Sequence, residues 1–160
     1  MDNHATLAST LGFTLKQHGY ALALAESCTG GMVAQAITDI AGSSAWFDRG
    51  FVTYSNAAKI EMLNVSATTL ETYGAVSEQT AAEMVTGALK HSHAHIAGSI
   101  TGIAGPDGGS AQKPVGTVCF AWLGSNLPLV TSTQQFTGDR KAIREQATIF
   151  LLTQLIKALA

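Results

Sequence analysis

The sequence predicts an α/β protein built on a mixed sheet with helices on both faces. Three observations carry this. Apolar runs of strand length alternate with stretches whose apolar residues fall at helical spacing through the earlier part of the chain. The later part instead carries two successive strand-like runs, 115–123 and 129–136, joined around Gly124-Ser125-Asn126 as a hairpin. Glycine-rich polar turns follow the predicted strands, where α/β sheets place their ligands. A length of 160 residues suits one domain, 1–160, with a core large enough to need no staples.

Taken in order, Leu7, Leu11 and Leu15 share one helical face, so 5–17 reads as a helix that His18-Gly19 closes. The apolar run 20–25 reads as a short buried strand. Val33, Ala36, Ile37 and Ile40 then mark a helix over 32–40, with Thr29 as its expected N-cap. Residues 46–55 alternate as a strand, and Asn56 is expected to cap a short helix carrying Lys59, Ile60, Met62 and Leu63. Ser66 opens a further helical piece that Gly74 stops. Ser77 and Thr80 open a longer helix with Glu78 at its positive end and Ala81, Met84, Val85, Ala88 and Leu89 on its apolar face. The run 95–100 is the next strand, ending in Thr101 and followed by a glycine-dense loop, 102–109. Beyond the hairpin, Asp139 caps a last helix with an apolar stripe of Ile143, Ala147, Phe150, Leu151, Leu155 and Ala158.

Composition excludes several classes of function. Charged residues make up 12% and hydrophobic ones 46%, against about 25% charged in ordinary globular proteins. That balance implies extensive burial, including a subunit interface. The formal net charge of −2 offers no basic field for DNA or RNA. No apolar run reaches membrane-spanning length, and Met1-Asp2-Asn3-His4 does not begin a signal peptide. Cys28 and Cys119 have neither a disulfide framework nor metal spacing, so a reducing cytoplasm is the expected location.

Three segments combine small and polar residues: Ser27-Cys28-Thr29-Gly30-Gly31, Thr53-Tyr54-Ser55-Asn56 with Lys59, and 101–109. Each lies at or after the end of a predicted strand, so parallel neighbouring strands would bring them to one cleft. Ser27 sits where a strand-end nucleophile would sit. The following helix N-terminus offers backbone N–H groups to a phosphate or to a developing oxyanion, with Gly30 and Gly31 permitting close approach. A serine needs a base. His4, His18, His91, His93 and His95 lie away from these turns, and Lys59 is better placed. A desolvated lysine can lose its proton near neutral pH, and Ser–Lys pairs are an accepted variant of the nucleophile–base arrangement. Tyr54 can relay a proton or hold an intermediate; taken singly, Lys59 also fits a solvated helix residue and Tyr54 a half-buried strand aromatic.

The His91-Ser92-His93-Ala94-His95 tract reads as a polar helix exit rather than a metal site. Arg140 and Arg144, four apart on the last helix, suit either a phosphate clamp or surface pairing with Asp139 and Glu145. Ser44, in the loop 41–44, is a further candidate phosphate contact. Neither a Walker A sequence nor a Gly-x-Gly-x-x-Gly turn is present, which argues against the standard ATP and dinucleotide sites.

Together, 25–31, 50–56 with Lys59, 74–77, 101–109, 113–118 and 138–140 resemble the C-terminal domain of the competence/damage-inducible protein CinA, over almost the whole chain. The resemblance implies a three-layer α/β/α sandwich with a mixed, mostly parallel sheet. It also implies a stand-alone member without the N-terminal domain of two-domain relatives, acting as a homodimer or higher oligomer. The implied activity is a nicotinamide-nucleotide amidase that hydrolyses the carboxamide of nicotinamide mononucleotide to nicotinate mononucleotide and ammonia, in pyridine-nucleotide salvage. The family's nucleophile falls on Ser27, its lysine on Lys59, its tyrosine on Tyr54 and a loop-opening hydroxyl on Thr101. Thr29, Gly30, Gly31, Ser44, Gly102 and Arg140 are the expected substrate contacts. The scheme calls for no cofactor, no metal, no nucleic acid and no membrane; its partner is the small-molecule substrate. An amidase for another carboxamide and a non-catalytic nucleotide-binding module are the alternatives.

Overall fold

The computed structural model describes residues 3–160. Its elements, in chain order, are α1 (His4–His18), β1 (Leu22–Glu26), α2 (Met32–Thr38), β2 (Phe47–Val52), α3 (Asn56–Leu63), α4 (Ala67–Tyr73), α5 (Glu78–Lys90), β3 (Ile96–Gly102), β4 (Thr117–Gly124), β5 (Leu127–Gln135) and α6 (Arg140–Leu159). A short 3-10 turn, Ser43–Ala45, leads into β2. The strands form one sheet in the order β2-β1-β3-β4-β5. The pairs β1–β2 and β1–β3 are parallel, and β3–β4 and β4–β5 antiparallel. The sheet is therefore mixed, with every strand except β4 pointing the same way.

Side-chain alternation assigns the two layers of helices. Leu22 and Leu24 of β1, Ile96 and Ile100 of β3, and Val118, Phe120 and Trp122 of β4 face one side, where they pack with α1, α2 and α6. Leu7, Leu11, Leu15, Val33, Ile37, Ile143, Leu151 and Leu155 complete that core. The other face carries Ala23, Ala25, Ala97, Cys119 and Ala121, packed against Ala81, Met84, Val85 and Ala88 of α5 and Leu63 of α3. These small residues let α5 approach the sheet closely enough for the Ser99 hydroxyl to donate to the Ala81 carbonyl at 2.7 Å.

Several expected boundaries move. β1 begins at Leu22 and runs on to Glu26. Tyr20 stays outside it, with its ring stacked on His95 at 5.3 Å. The cap of α3 is Ser55, whose hydroxyl accepts from the Ala58 N–H at 3.0 Å, so Asn56 is the first helical residue. The hairpin turn tightens to Ser125-Asn126. Gly19, Ser66, Gly74, Ser77 and Asp139 cap as their types predict. No helix among the described residues is long and apolar enough to cross a membrane.

Candidate active site

Register builds the site. Glu26 pairs with Val52 of β2 and with Ile100 of β3. The next residues along those strands, Ser27 and Thr53, leave the sheet side by side: the Ser27 N–H donates to the Ile100 carbonyl at 3.0 Å and the Thr53 N–H to the Glu26 carbonyl at 2.8 Å. Thr101 stands abreast of them on β3. A cavity of about 270 Å³ opens there, beyond the carboxyl ends of the three parallel strands, lined among others by Ser27, Tyr54, Lys59, Thr101, Gly102 and Arg140.

Lys59 points inward from the first turns of α3 and is 1% exposed. Its Nζ lies 3.0 Å from Ser27 Oγ, 3.0 Å from the Thr53 carbonyl and 3.4 Å from the Tyr54 carbonyl. Among the described residues no ion pair involves Lys59. Burial pushes its pKa below the ordinary 10.5, because a low-dielectric surround disfavours the ammonium. The neighbouring Cys28 thiol is pushed up to about 12 by the same burial.

The turn after Ser27 corrects one expectation. Glu26 continues the Leu22/Leu24 alternation, so its side chain lies under the start of α2, 1% exposed. Oε1 accepts from the Thr29 hydroxyl at 2.6 Å and from the Gly31 and Val33 N–H groups, both at 3.1 Å; Oε2 accepts from the Ala34 N–H at 3.0 Å. The chain's own carboxylate thus occupies the helix N-terminus that the sequence offered to a phosphate or oxyanion. The helix cap is Gly31 at φ 104°, not Thr29. The Gly30 N–H is also engaged, donating to the Ser27 carbonyl at 3.0 Å. Thr29, Gly30 and Gly31 shape the turn and do not line the cavity. Ser44 is misplaced as well: it precedes β2 at the amino end of that strand, away from the cavity at its carboxyl end.

Tyr54 stands at the rim, 61% exposed, its hydroxyl accepting from Arg140 Nη2 at 3.0 Å. It contributes to Lys59 through its backbone carbonyl, and Lys59 meets Ser27 directly, so no relay through the phenol is needed. Arg140 Nη1 also donates to the Gly105 carbonyl at 2.7 Å, tying the glycine loop to α6. Arg144 serves the turn instead of a phosphate: Nε donates to the Cys28 carbonyl at 3.0 Å and Nη2 to the Thr29 carbonyl at 2.9 Å. The Thr101 hydroxyl gives its proton to the Ala75 carbonyl at 2.8 Å. Asn56 and Asp107 also line the cavity; the sequence reading included both in its strand-end segments but gave neither a substrate role. Their signal was position alone, within segments already marked as strand-end turns.

Two other features stand apart from this chemistry. A larger cavity of about 410 Å³ lies beyond the 74–77 segment, but its Glu78 carboxylate already accepts from the Thr131 and Thr133 hydroxyls, both at 2.6 Å. In the histidine tract, His95 Nδ1 accepts from the Ala21 N–H at 3.0 Å and so secures a strand junction.

Comparison with known proteins agrees with this architecture. The CinA C-terminal domain model matches residues 4–159. A nicotinamide-nucleotide amidohydrolase PncC from Enterobacter agglomerans is 59% identical over 151 residues, covering 94% of this chain and 92% of that protein. A protein of the same name from Escherichia coli strain K12 is 56% identical over 149 residues, covering 93% and 90%. The crystal structure of the competence/damage inducible protein CihA from Agrobacterium tumefaciens superposes with a TM-score of 0.97 at 45% identity, covering 100% of this chain and 98% of that one. With the sheet order, the strand-end cavity and a match from α1 through the end of α6, the chain belongs to the CinA C-terminal domain family.

Proposed function

We propose that this chain is a nicotinamide-nucleotide amidase that converts nicotinamide mononucleotide to nicotinate mononucleotide and ammonia, with Ser27 as nucleophile and Lys59 as base. The observation that carries the reading is the buried Lys59 Nζ, 3.0 Å from Ser27 Oγ with no carboxylate paired to it. The names of the relatives supply the substrate.

Nζ donates to three oxygens, Ser27 Oγ and the Thr53 and Tyr54 carbonyls. When the amine is neutral, its two N–H groups can stay on the carbonyls and its lone pair turns to the Ser27 hydroxyl. Ser27 Oγ attacks the carboxamide carbon as its proton passes to Lys59. The C–N bond then breaks, Lys59 returns that proton to the departing nitrogen, and ammonia leaves an ester on Ser27. Water adds to the ester while Lys59 takes its proton; the proton then restores the Ser27 hydroxyl as nicotinate mononucleotide departs. The oxyanion falls to the Cys28 N–H, next along the chain from the nucleophile and in no backbone hydrogen bond among the described residues. Arg140, a permanent cation at the rim, takes the 5′-phosphate. The reaction serves pyridine-nucleotide salvage in the cytoplasm, carried out by a homodimer or larger oligomer whose size light scattering checks.

The test is ammonia release from nicotinamide mononucleotide by wild type and Ser27→Ala, with and without chelator. Release by wild type alone, insensitive to chelator, is expected. Near-normal turnover by a folded Ser27→Ala protein overturns the nucleophile. No release by folded wild type overturns the substrate and turns the search to other carboxamides, then to a binding module.

A further inference from the structure

Two charged side chains line the cavity without a part in the Ser27–Lys59 chemistry, Arg140 and Asp107. Arg140 is held by neutral groups, the Gly105 carbonyl and the Tyr54 hydroxyl, so its charge is not cancelled. Asp107 is the one carboxylate among the lining residues. It is exposed and forms no ion pair among the described residues. The loop is tied down at its start, just before Asp107: the Ile103 N–H donates to the Thr117 carbonyl at 2.9 Å, the Gly116 N–H to the Ile103 carbonyl at 2.8 Å, and Arg140 holds Gly105. The cavity thus presents the Arg140 cation and the Asp107 carboxylate beside the buried Lys59–Ser27 pair.

The proposed substrate carries the matching pair. Its phosphate is negative, its nicotinamide ring is a pyridinium with a permanent positive charge, and its carboxamide is neutral. A cavity of about 270 Å³ is about 8 Å across if spherical, within roughly one Debye length at physiological salt. A ring cation placed with its carboxamide at Ser27 therefore lies within partly screened reach of a lining carboxylate.

We propose that Asp107 recognises the positive ring charge, so that the pocket selects pyridinium carboxamides over uncharged ones. This rests on the amidase reading for the identity of the ligand. It makes Asp107 a specificity residue, with Arg140 and Asp107 dividing the two charges of one small zwitterionic molecule.

Calorimetric binding to the folded Ser27→Ala protein tests it without turnover. The two probes are nicotinamide mononucleotide and its reduced dihydronicotinamide form, which share phosphate, ribose and carboxamide and differ in ring charge. The oxidised form is expected to bind about fivefold more tightly, the scale of one partly solvated charge pair. Adding Asp107→Asn should abolish that preference, and Asp107→Glu should keep most of it. Asp107→Ser serves in place of the Asn variant if circular dichroism shows the latter misfolded. A preference unchanged by Asp107→Asn overturns the proposal. So does an equal weakening of both ligands, which assigns Asp107 to the ribose hydroxyls, and so does failure of both to bind. Ammonia release by wild type is read separately. A charge preference that depends on Asp107 in a protein releasing no ammonia leaves the recognition standing and removes the amidase reading.

Discussion

Lys59 shows at the level of one residue how an ordinary side chain acquires chemistry. Its sequence neighbours on α3 are ordinary, and the change comes from burial between Thr53, Tyr54 and Ser27. Lys59→Met keeps the volume and removes the base, so turnover should vanish while circular dichroism stays native. Because burial lowers the pKa from 10.5, the rate of wild type should climb with pH as the neutral amine forms; a rate that falls as pH rises toward that value overturns Lys59 as base. The same shift acts on stability. Between the lowered folded value and 10.5 the unfolded chain binds a proton that the folded chain has released. Stability therefore rises with pH across that window. Paired urea titrations should show wild type gaining on Lys59→Met as pH is raised from neutral, whereas a constant difference means no shift. Glu26 was not legible as a cap. Its alternation with Leu22 and Leu24 was visible in the sequence, but the four donors it meets were not. Glu26→Gln replaces an acceptor facing those donors with an amide and should cost about 1–3 kcal/mol in urea unfolding.

At the level of elements, α6 organises the site from across the chain. Its first turns place Arg140 on the glycine loop and Arg144 on the Ser27 turn. The sequence showed that the two arginines share a face but not which partners that face meets. Arg144→Met removes two charge-assisted bonds to the turn and should lower kcat/KM about tenfold; an unchanged value would show the turn holds its shape on Glu26 alone. On the opposite layer, α5 approaches a sheet face of small residues, and Gly87 packs against the Leu63 backbone at the end of α3. Gly87→Ala should destabilise by about 1–3 kcal/mol through overpacking, despite the better helix propensity of alanine. A gain in the urea midpoint would contradict that packing.

For the whole molecule, the parallel order β2-β1-β3 matters most, because it brings strand ends separated along the chain to one cavity. The two cysteines report on that whole. Both are buried and free, and burial raises both thiols, Cys28 to about 12. Alkylation at neutral pH should therefore be slow for both and should accelerate together with urea unfolding, followed by mass spectrometry. Rapid labelling of Cys28 in the native protein would mean the Ser27 turn opens locally.

The sequence by itself determined the elements, because caps, breakers and apolar period act over a few residues: Gly19, Ser66, Gly74, Ser77 and Asp139 sit where their types placed them. It also marked the three strand-end segments that carry Ser27, Lys59 and Thr101. The tertiary structure decided how donors and acceptors are shared. Hydrogen-bond capacity is finite, and which group uses it depends on neighbours distant in sequence. Glu26 fills the helix N-terminus that Thr29, Gly30 and Gly31 seemed to offer, and Arg144 is drawn to the turn. Ser44, just before β2, falls at the end of the sheet away from the cavity because β2 pairs parallel to β1.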